Sequence, residues 1–369
     1  MPTDDNIVYV DASTIENFIK DTFLAMGTPE KEAKLVAKIL IAADLRGIES
    51  HGIGRLKYYY DRMKRGQHQT KTNITVLKDT PTTAVLDGNH GLGQVIAHQA
   101  MTMAIEKAKK VGIGAVSVRN STHFGIAGYY VMMAVEAGMI GVCCTNARPA
   151  VAPTFSVKPM MGTNPLTFGI PTDEEFPFVL DCATSTIQRG KLEIAERARK
   201  QMAPGYVIGK DGNPMTDPTA TLKAFDKGEA ALLPLGGAGE EFGGYKGYGY
   251  SATVELLSAI LSGGVFLWDL LGIKDGKAVP YRVGHFFLAI NPEFFMGLET
   301  CKKTAGEICR QLRASSKAPG HDHVYTAGEK EFLAEKRVRK QGIPVNKGLQ
   351  EEIKFVQKEL KLTQYKFPF

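Results

Sequence analysis

The chain has 369 residues, 44% hydrophobic and 23% charged, a composition that excludes a disordered chain and allows more than one buried core. Its 45 basic and 39 acidic residues leave a net charge of +6, spread along the chain with no basic cluster interleaved with aromatics, which argues against a nucleic-acid binder. The most apolar run, Leu256 to Leu271, is broken by Gly263, Gly264 and Asp269 and is too short to cross a membrane.

Met1 to Asn6 has no basic or apolar leader region, so no signal peptide is expected. Ser13 to Glu16 reads as a capping box opening a helix that stops at Gly27. Thr28-Pro29 restarts a second helix, with proline at its first position, running towards Leu45 and breaking at Gly47. A third begins after Ser50-His51 and carries Leu56, Tyr60 and Met63 as an apolar stripe.

From about Asn73 the pattern changes. Strand-like runs (Ile74–Leu77, Thr83–Leu86, Gly114–Val118, Ile140–Cys144) alternate with helical ones (Gln94–Lys110, Ile126–Ala137), which implies an α/β sheet covered by helices. Further strands are expected at Phe178–Cys182 and His285–Ile290. A charged helix (Gly190–Met202), the polar loop Lys210–Pro214 and a glycine-rich stretch at 236–249 lie between them. The C-terminal part reads as helical at Glu299–Arg313 and Asn346–Leu360. Cys143, Cys144, Cys182, Cys301 and Cys309 have neither disulfide-framework nor zinc-knuckle spacing, so reduced thiols and a cytoplasmic protein are expected.

Three stretches carry polar chemistry. In the first, Ser50-His51-Gly52-Ile53-Gly54-Arg55, a helix starting here would put His51, Arg55 and Tyr59 on one face. An arginine fork binds a carboxylate bidentately, and a histidine or tyrosine is the donor that a neighbouring carbonyl oxygen needs. The second, Asn120 to Gly125, follows a strand, where open α/β sheets place their ligands, and a helix dipole there would lower the pKa of His123. The third runs from Gly236 through Gly249. Within it Gly247 to Ala252 matches a loose dinucleotide fingerprint, with Asp269 about where a ribose-binding acid would sit. No strand leads into the first glycine, so a Rossmann site is rejected, while Lys246 is a candidate cation for a phosphate. Read alone, Gly162–Pro165 and Leu180–Ser185 signify only turns. His321-Asp322-His323 after Gly320 reads as an exposed loop, and no metal is expected.

Taken together, these segments resemble the type-2 malate/L-lactate dehydrogenase family, the group of archaeal-type malate dehydrogenase, sulfolactate dehydrogenase and ureidoglycolate dehydrogenase. The matching segments are Ala43–Gly52, Asn120–Tyr130, Gly162–Pro165, Leu180–Ser185 with Arg189–Lys191, Lys210–Pro214, Gly243–Gly249 and Gly284–Phe287, in family order. The resemblance implies a non-Rossmann NAD(P)-binding fold on a mixed β-sheet covered by helices. It implies a helical substrate and dimerisation lobe from both chain ends (1–75 plus 300–369), an α/β cofactor-binding domain (76–299), and a homodimer.

It also implies site residues. Ser50, His51, Arg55 and Tyr59 would face the substrate, and His123 would be the second active-site histidine, both histidines also reaching the cofactor. Thr163, Asn164, Pro165, Asp181, Ala183, Ser185 and Lys191 would line the cofactor, with Tyr245 and Lys246 nearby. The family's Pro-Gly-Glu appears here as Ala327-Gly328-Glu329, so Glu329 is carried over on a departure from the pattern. The expected reaction is hydride transfer between NAD(H) and a small 2-hydroxy/2-oxo acid, with malate/oxaloacetate first. Lactate, sulfolactate, ureidoglycolate or a cyclic imino acid, with NADP, are the alternatives. NAD is preferred because Asp173 and Glu174, near the cofactor segments, would disfavour a 2′-phosphate. Arg55 would pair with the substrate carboxylate and His123 would donate the proton, although the sequence does not separate its role from that of His51. A metal-dependent lyase or hydrolase is disfavoured by the histidine spacing.

Overall fold

A computed structural model of the chain describes residues 7–197 and 199–369. The segment read above for a leader, residues 1–6, lies outside the described residues. In chain order the first elements are β1 (Val8–Val10), α1 (Ala12–Ala25), α2 (Glu30–Leu45) and α3 (Leu56–Lys64). The cap of α1 is Asp11, not Ser13: its carboxylate accepts from the backbone N–H of Ser13 and Thr14, which closes the first turn two residues earlier than expected. Pro29 stands at the N-cap of α2 rather than inside it.

The middle of the chain supplies β2 (Thr75–Asp79), β3 (Thr83–Asp87), α4 (Gly93–Val111), β4 (Ile113–Ser121), α5 (Gly128–Glu136), β5 (Ile140–Thr145), β6 (Leu166–Ile170) and β7 (Phe178–Cys182). It continues with α6 (Arg189–Arg197), β8 (Val207–Gly209), α7 (Pro218–Asp226), β9 (Ala230–Leu232), α8 (Gly244–Ile260), β10 (Ile273–Lys274) and β11 (Lys277–Ala278). Last come β12 (Val283–Ile290), α9 (Leu298–Ala314), α10 (Glu329–Gln341), β13 (Ile343–Val345) and α11 (Lys347–Glu359). Helix α6 ends short of the expected Met202. Helices α7 and α10 and strand β6 sit where periodicity gave no assignment.

Seven strands form the central sheet in the order β2-β3-β4-β12-β5-β6-β7. Only β3 and β4 are parallel neighbours; every other adjacent pair is antiparallel, so the sheet is mixed. Helices α4 and α5 cover one face, and their alanine-rich sides (Ala97, Ala100, Ala104, Ala134) bring the backbone close to Val116, Val118 and Cys143. Helix α8 packs on β12 and β5. A second core joins the two chain ends. Strand β1 pairs with β13, and Ile15, Phe18, Ile19, Val36 and Leu40 pack with Val338, Ile343, Ile353 and Val356. A smaller cluster (Val151, Leu192, Val207, Leu222, Leu232) knits α6 and α7 to the β8–β9 pair. The loose fingerprint at Gly247 to Ala252 lies inside helix α8.

Candidate active site

Two turns meet where the end-joined core abuts the sheet. The first follows α2. Asp44, the penultimate residue of that helix, is wholly buried, and its Oδ2 accepts from the Ile53 backbone N–H at 2.7 Å. Burial holds this carboxyl well above the usual carboxylate range. Gly52 passes directly over it: a Cβ there would stand 2.0 Å from the Asp44 carboxylate, so only glycine fits. This pinning prevents the helix expected from His51. The chain instead makes a 3₁₀ turn at Ile53–Arg55 and enters α3 at Leu56. His51, Arg55 and Tyr59 therefore do not share one helix face. They converge from a turn, a 3₁₀ segment and the first turn of α3.

Local hydrogen bonds orient these side chains. The Ser50 hydroxyl lies 2.8 Å from His51 Nδ1, and Arg55 Nε donates to the Ser50 carbonyl at 2.6 Å. Among the described residues no carboxylate pairs with Arg55, so its terminal nitrogens are available to an acidic ligand. Burial, then the charge of Arg55, pulls His51 down to about 4.

The second turn follows β4. It carries His123 to within 5.5 Å of His51, ring centre to ring centre, with the planes 25° apart. The Tyr59 hydroxyl lies 2.6 Å from His123 Nδ1, leaving Nε2 as the ring nitrogen free for a ligand. Desolvation raises the pKa of Tyr59, so it serves as a neutral hydrogen-bond partner. Helix α5 begins only at Gly128, so His123 is not at a helix N-terminus as expected. Its pKa does fall well below the ordinary value, but the causes are burial first, then the charges of His51, Arg55, His68 and His285. His285 is a structural neighbour, its two ring nitrogens each 2.7 Å from a hydroxyl, of Thr145 and of Ser121.

The residues carried over for a cofactor are dispersed. Asp181 lines a cavity of about 420 Å³ with Arg46, Ile48, Ile126, Ala327 and Gly328. Ile48 and Ile126 belong to the same two turns that carry His51 and His123. Asp181 accepts from the Gly128 N–H at 2.7 Å and from the Thr167 hydroxyl at 3.1 Å. Glu329 opens α10 and folds back on its own loop, accepting from the Thr326 N–H at 3.1 Å and meeting His323 at 2.8 Å.

Thr163 to Pro165 and Ala183 to Ser185 are stitched to each other, Thr184 bonding to the carbonyls of Thr163 and Asn164. The side chain of Asn164 is spent on protein, accepting from the Ala147 N–H and donating to the Ser251 carbonyl and Glu255. The Ser185 hydroxyl likewise donates to the Ile187 carbonyl. Lys191 is exposed on α6, whose Gly190 approaches Ser50: a Cβ there would be 3.7 Å from that of Ser50. Tyr245 and Lys246 are exposed on the first turn of α8. The glycines around them pack backbone on backbone, and a Cβ at Gly244 would sit 2.0 Å from the Gly237 carbonyl. Asp173 and Glu174 are engaged by α9, which sets Arg310 on Asp173 and Arg313 on Glu174.

Sequence reasoning missed several residues here. Asp44 stood in a quoted motif as an acid inside an apolar helix, a signal that marks a buried anchor. His68 and Tyr281 are also buried beside the histidines, and no local pattern announces them.

Comparison with known proteins gives the same picture across the chain. A family profile described as "Malate/L-lactate dehydrogenase" matches residues 10–354. The chain is 44% identical over 350 residues to the malate dehydrogenase of Pyrococcus abyssi, covering 95% of this chain and 94% of that one. It is 40% identical over 351 residues to the L-sulfolactate dehydrogenase of Methanocaldococcus jannaschii, covering 94% and 96%. Among solved structures it resembles the crystal structure of malate dehydrogenase from Entamoeba histolytica, with a TM-score of 0.94, 44% identity, and 98% and 100% of the two chains covered.

Proposed function

The chain belongs to the malate/L-lactate dehydrogenase family and is a nicotinamide-dependent hydroxy-acid dehydrogenase, and from that premise we propose that its substrate pair is malate and oxaloacetate, with NAD as cofactor. The observation that carries the reading is the convergence of Arg55, His51, Tyr59 and His123 with no carboxylate among them. Arg55 takes the substrate's C1 carboxylate through its free terminal nitrogens. Tyr59 holds His123 by Nδ1, so Nε2 exchanges a proton with the substrate's C2 oxygen. The depressed pKa keeps His123 neutral in the free enzyme, and the tautomer whose Nδ1–H donates to the Tyr59 oxygen is the one that accepts the hydroxyl proton at Nε2 during oxidation. His51, fixed by Ser50, orients the same oxygen. The nicotinamide, when bound, would supply the hydride chemistry at C2.

For the cofactor, the cavity beside Asp181 is the best-fitting place among the described residues. Its walls carry Glu175, Asp181, Glu331 and Glu335 against Arg46 and Lys330, an acidic balance that suits a free 2′-hydroxyl better than a 2′-phosphate. Thr163 to Pro165, Ala183 to Ser185, Lys191, Tyr245, Lys246 and Glu329 belong to the wider binding surface of this reading. Asn164 and Ser185 would contribute backbone there. The single parallel pair in the sheet and the helical setting of Gly247 to Ala252 support a cofactor fold unrelated to Rossmann units. We further propose a cytoplasmic homodimer, with its helical lobe at 1–75 plus 300–369 and its cofactor domain at 76–299. The exposed apolar side chains Leu256, Ile260 and Leu261 on and after α8, with Phe266, support self-association.

The test is oxidation of NADH and NADPH at 340 nm with oxaloacetate, pyruvate, sulfopyruvate, 2-oxoglutarate and piperideine-2-carboxylate. Fast turnover of oxaloacetate with NADH is the expected result. Preference for another acid would keep the mechanism and change the substrate, and silence with both cofactors would end the reading.

A further inference from the structure

Beyond the histidine pair lies a second polar group that the mechanism above does not use. His68 is 2% exposed, and neither of its ring nitrogens has a hydrogen-bond partner. Its ring packs 6.0 Å from Tyr58, 6.1 Å from Tyr59 and 5.6 Å from Tyr281. Tyr281 is also 2% exposed, and its hydroxyl is unpaired, although the Arg148 guanidinium stands beside it. Arg62 lies over the rings of both Tyr58 and Tyr281, at 5.1 and 5.0 Å, with one terminal nitrogen donating to Gln67. Tyr58 in turn sets its ring 5.9 Å from His123, so this group adjoins the reacting end of the pocket. Arg148 itself is exposed, on the segment that leaves β5.

Buried polar atoms in a folded chain are nearly always hydrogen-bonded, and leaving one unpaired costs about 1–3 kcal/mol. Two neighbouring residues with unpaired buried donors, flanked by arginines, are what a site for an anionic group looks like before the group arrives. The charge pattern points the same way. The charged groups acting on His68, Tyr281, His51 and His123 are Arg62, Arg148, Arg55 and the histidines, with no carboxylate among them. One substrate carboxylate on Arg55 answers only part of that positive surround.

We infer that Arg148, with the Tyr281 hydroxyl and His68, forms a distal-anion subsite that selects 2-oxo acids bearing a second negative group two bonds from the reacting carbon. This rests on the dehydrogenase reading above and sharpens it. A C4 carboxylate, as in oxaloacetate, and a C3 sulfonate, as in sulfopyruvate, share this chemistry. Pyruvate, with a methyl group instead, leaves Tyr281 and His68 unpaired.

The experiment is steady-state kinetics on the full chain with NADH and, in parallel, oxaloacetate, sulfopyruvate and pyruvate, for wild type, Arg148→Gln and Tyr281→Phe. Arg148 is exposed, so its variant is expected to fold, and an unchanged Tm checks this. In wild type, kcat/KM for at least one dianionic acid should exceed that for pyruvate by about 10-fold or more. Arg148→Gln should lower that ratio by about 10-fold, chiefly through KM, and Tyr281→Phe should lower it less. Oxaloacetate and sulfopyruvate separate the two anions, and loss of preference for either upon substitution supports the subsite. A wild type that prefers pyruvate, or a ratio within about twofold of wild type in Arg148→Gln, overturns the subsite while leaving the dehydrogenase intact. A wild type silent with all three acids overturns both.

Discussion

Two polar interiors of this protein invite comparison. Around Glu255, on α8, both carboxylate oxygens are answered by donors. Asn164 donates to Oε2 at 2.8 Å, Asn146 to Oε1 at 3.3 Å and the Leu267 N–H to Oε1 at 3.0 Å, while Asn146 also accepts from the Gly284 N–H at 2.8 Å. Around His123 the opposite holds: His68, Gln94 and Tyr281 are buried with side-chain atoms unpaired, and the charged neighbours are cations. The answered carboxylate fixes α8 to the sheet. An open network has its binding capacity in reserve. Burial of polar groups thus does not by itself mark a site; what sets the surroundings of His123 apart is unpaired buried groups together with a cationic surround.

The comparison breaks most sharply at the open network. Replacing His123 by Gln removes the proton carrier while keeping a polar side chain, and kcat for malate oxidation should fall about 10²–10⁴-fold. Near-wild-type turnover in that variant would move the role to His51. Arg55→Ala should cost next most, about 10²-fold in kcat/KM, read as a raised KM for every 2-oxo acid tested, because each presents the same C1 carboxylate. Equal kinetics before and after the change would take the clamp out of the account.

The answered carboxylate predicts a different kind of loss. Glu255→Leu strips the acceptors from Asn164, Asn146 and the Leu267 N–H, leaving buried donors unpaired at about 1–3 kcal/mol each, offset in part by no longer burying a carboxyl. The pKa of Glu255 is raised by desolvation, with the same three donors pulling against it, so that offset is smaller than for a bare carboxylate. Thermal unfolding should move down by several degrees, while kcat measured well below Tm stays within about threefold. A large kinetic loss with unchanged Tm would assign Glu255 to the active site instead.

How much of this was legible in the sequence follows the same division. The sheet order was not, but the strands and helices that build it were, because Gly114–Val118 and Gln94–Lys110 carry period-two and period-3.6 patterns that the observed elements keep. The turns bearing His51 and His123 were legible as polar residues at element junctions. The conformation at His51 was misread as helix because its cause, the Asp44 carboxyl under Gly52, is a contact between different elements. His68 follows α3 and Tyr281 precedes β12, so only tertiary folding brings them together. The pairing of Asp173 and Glu174 was illegible for the same reason, since α9 returns from far along the chain to meet both.

The smallest effect is a matter of where a titration lies. An ordinary histidine, with pKa near 6.5, would lose about threefold of its neutral form between pH 7 and pH 6. His123 is held well below that value by burial and by neighbouring cations, and His51 is pulled down to about 4, so the neutral base persists as pH falls through this range. The sign follows from the folded value being the lower one: base function is complete above it and is lost only on approaching it. The kcat/KM for malate oxidation should therefore stay nearly flat from pH 7 to pH 6, with its acid limb below. Placing one carboxylate in the open network should move that limb up, because the imidazolium would gain a partner. Gln94→Glu is the position to use, since its buried amide already leaves both atoms unpaired among the described residues. A limb at 6.5 in wild type, or no upward movement in Gln94→Glu, would mean that the cationic surround does not govern His123.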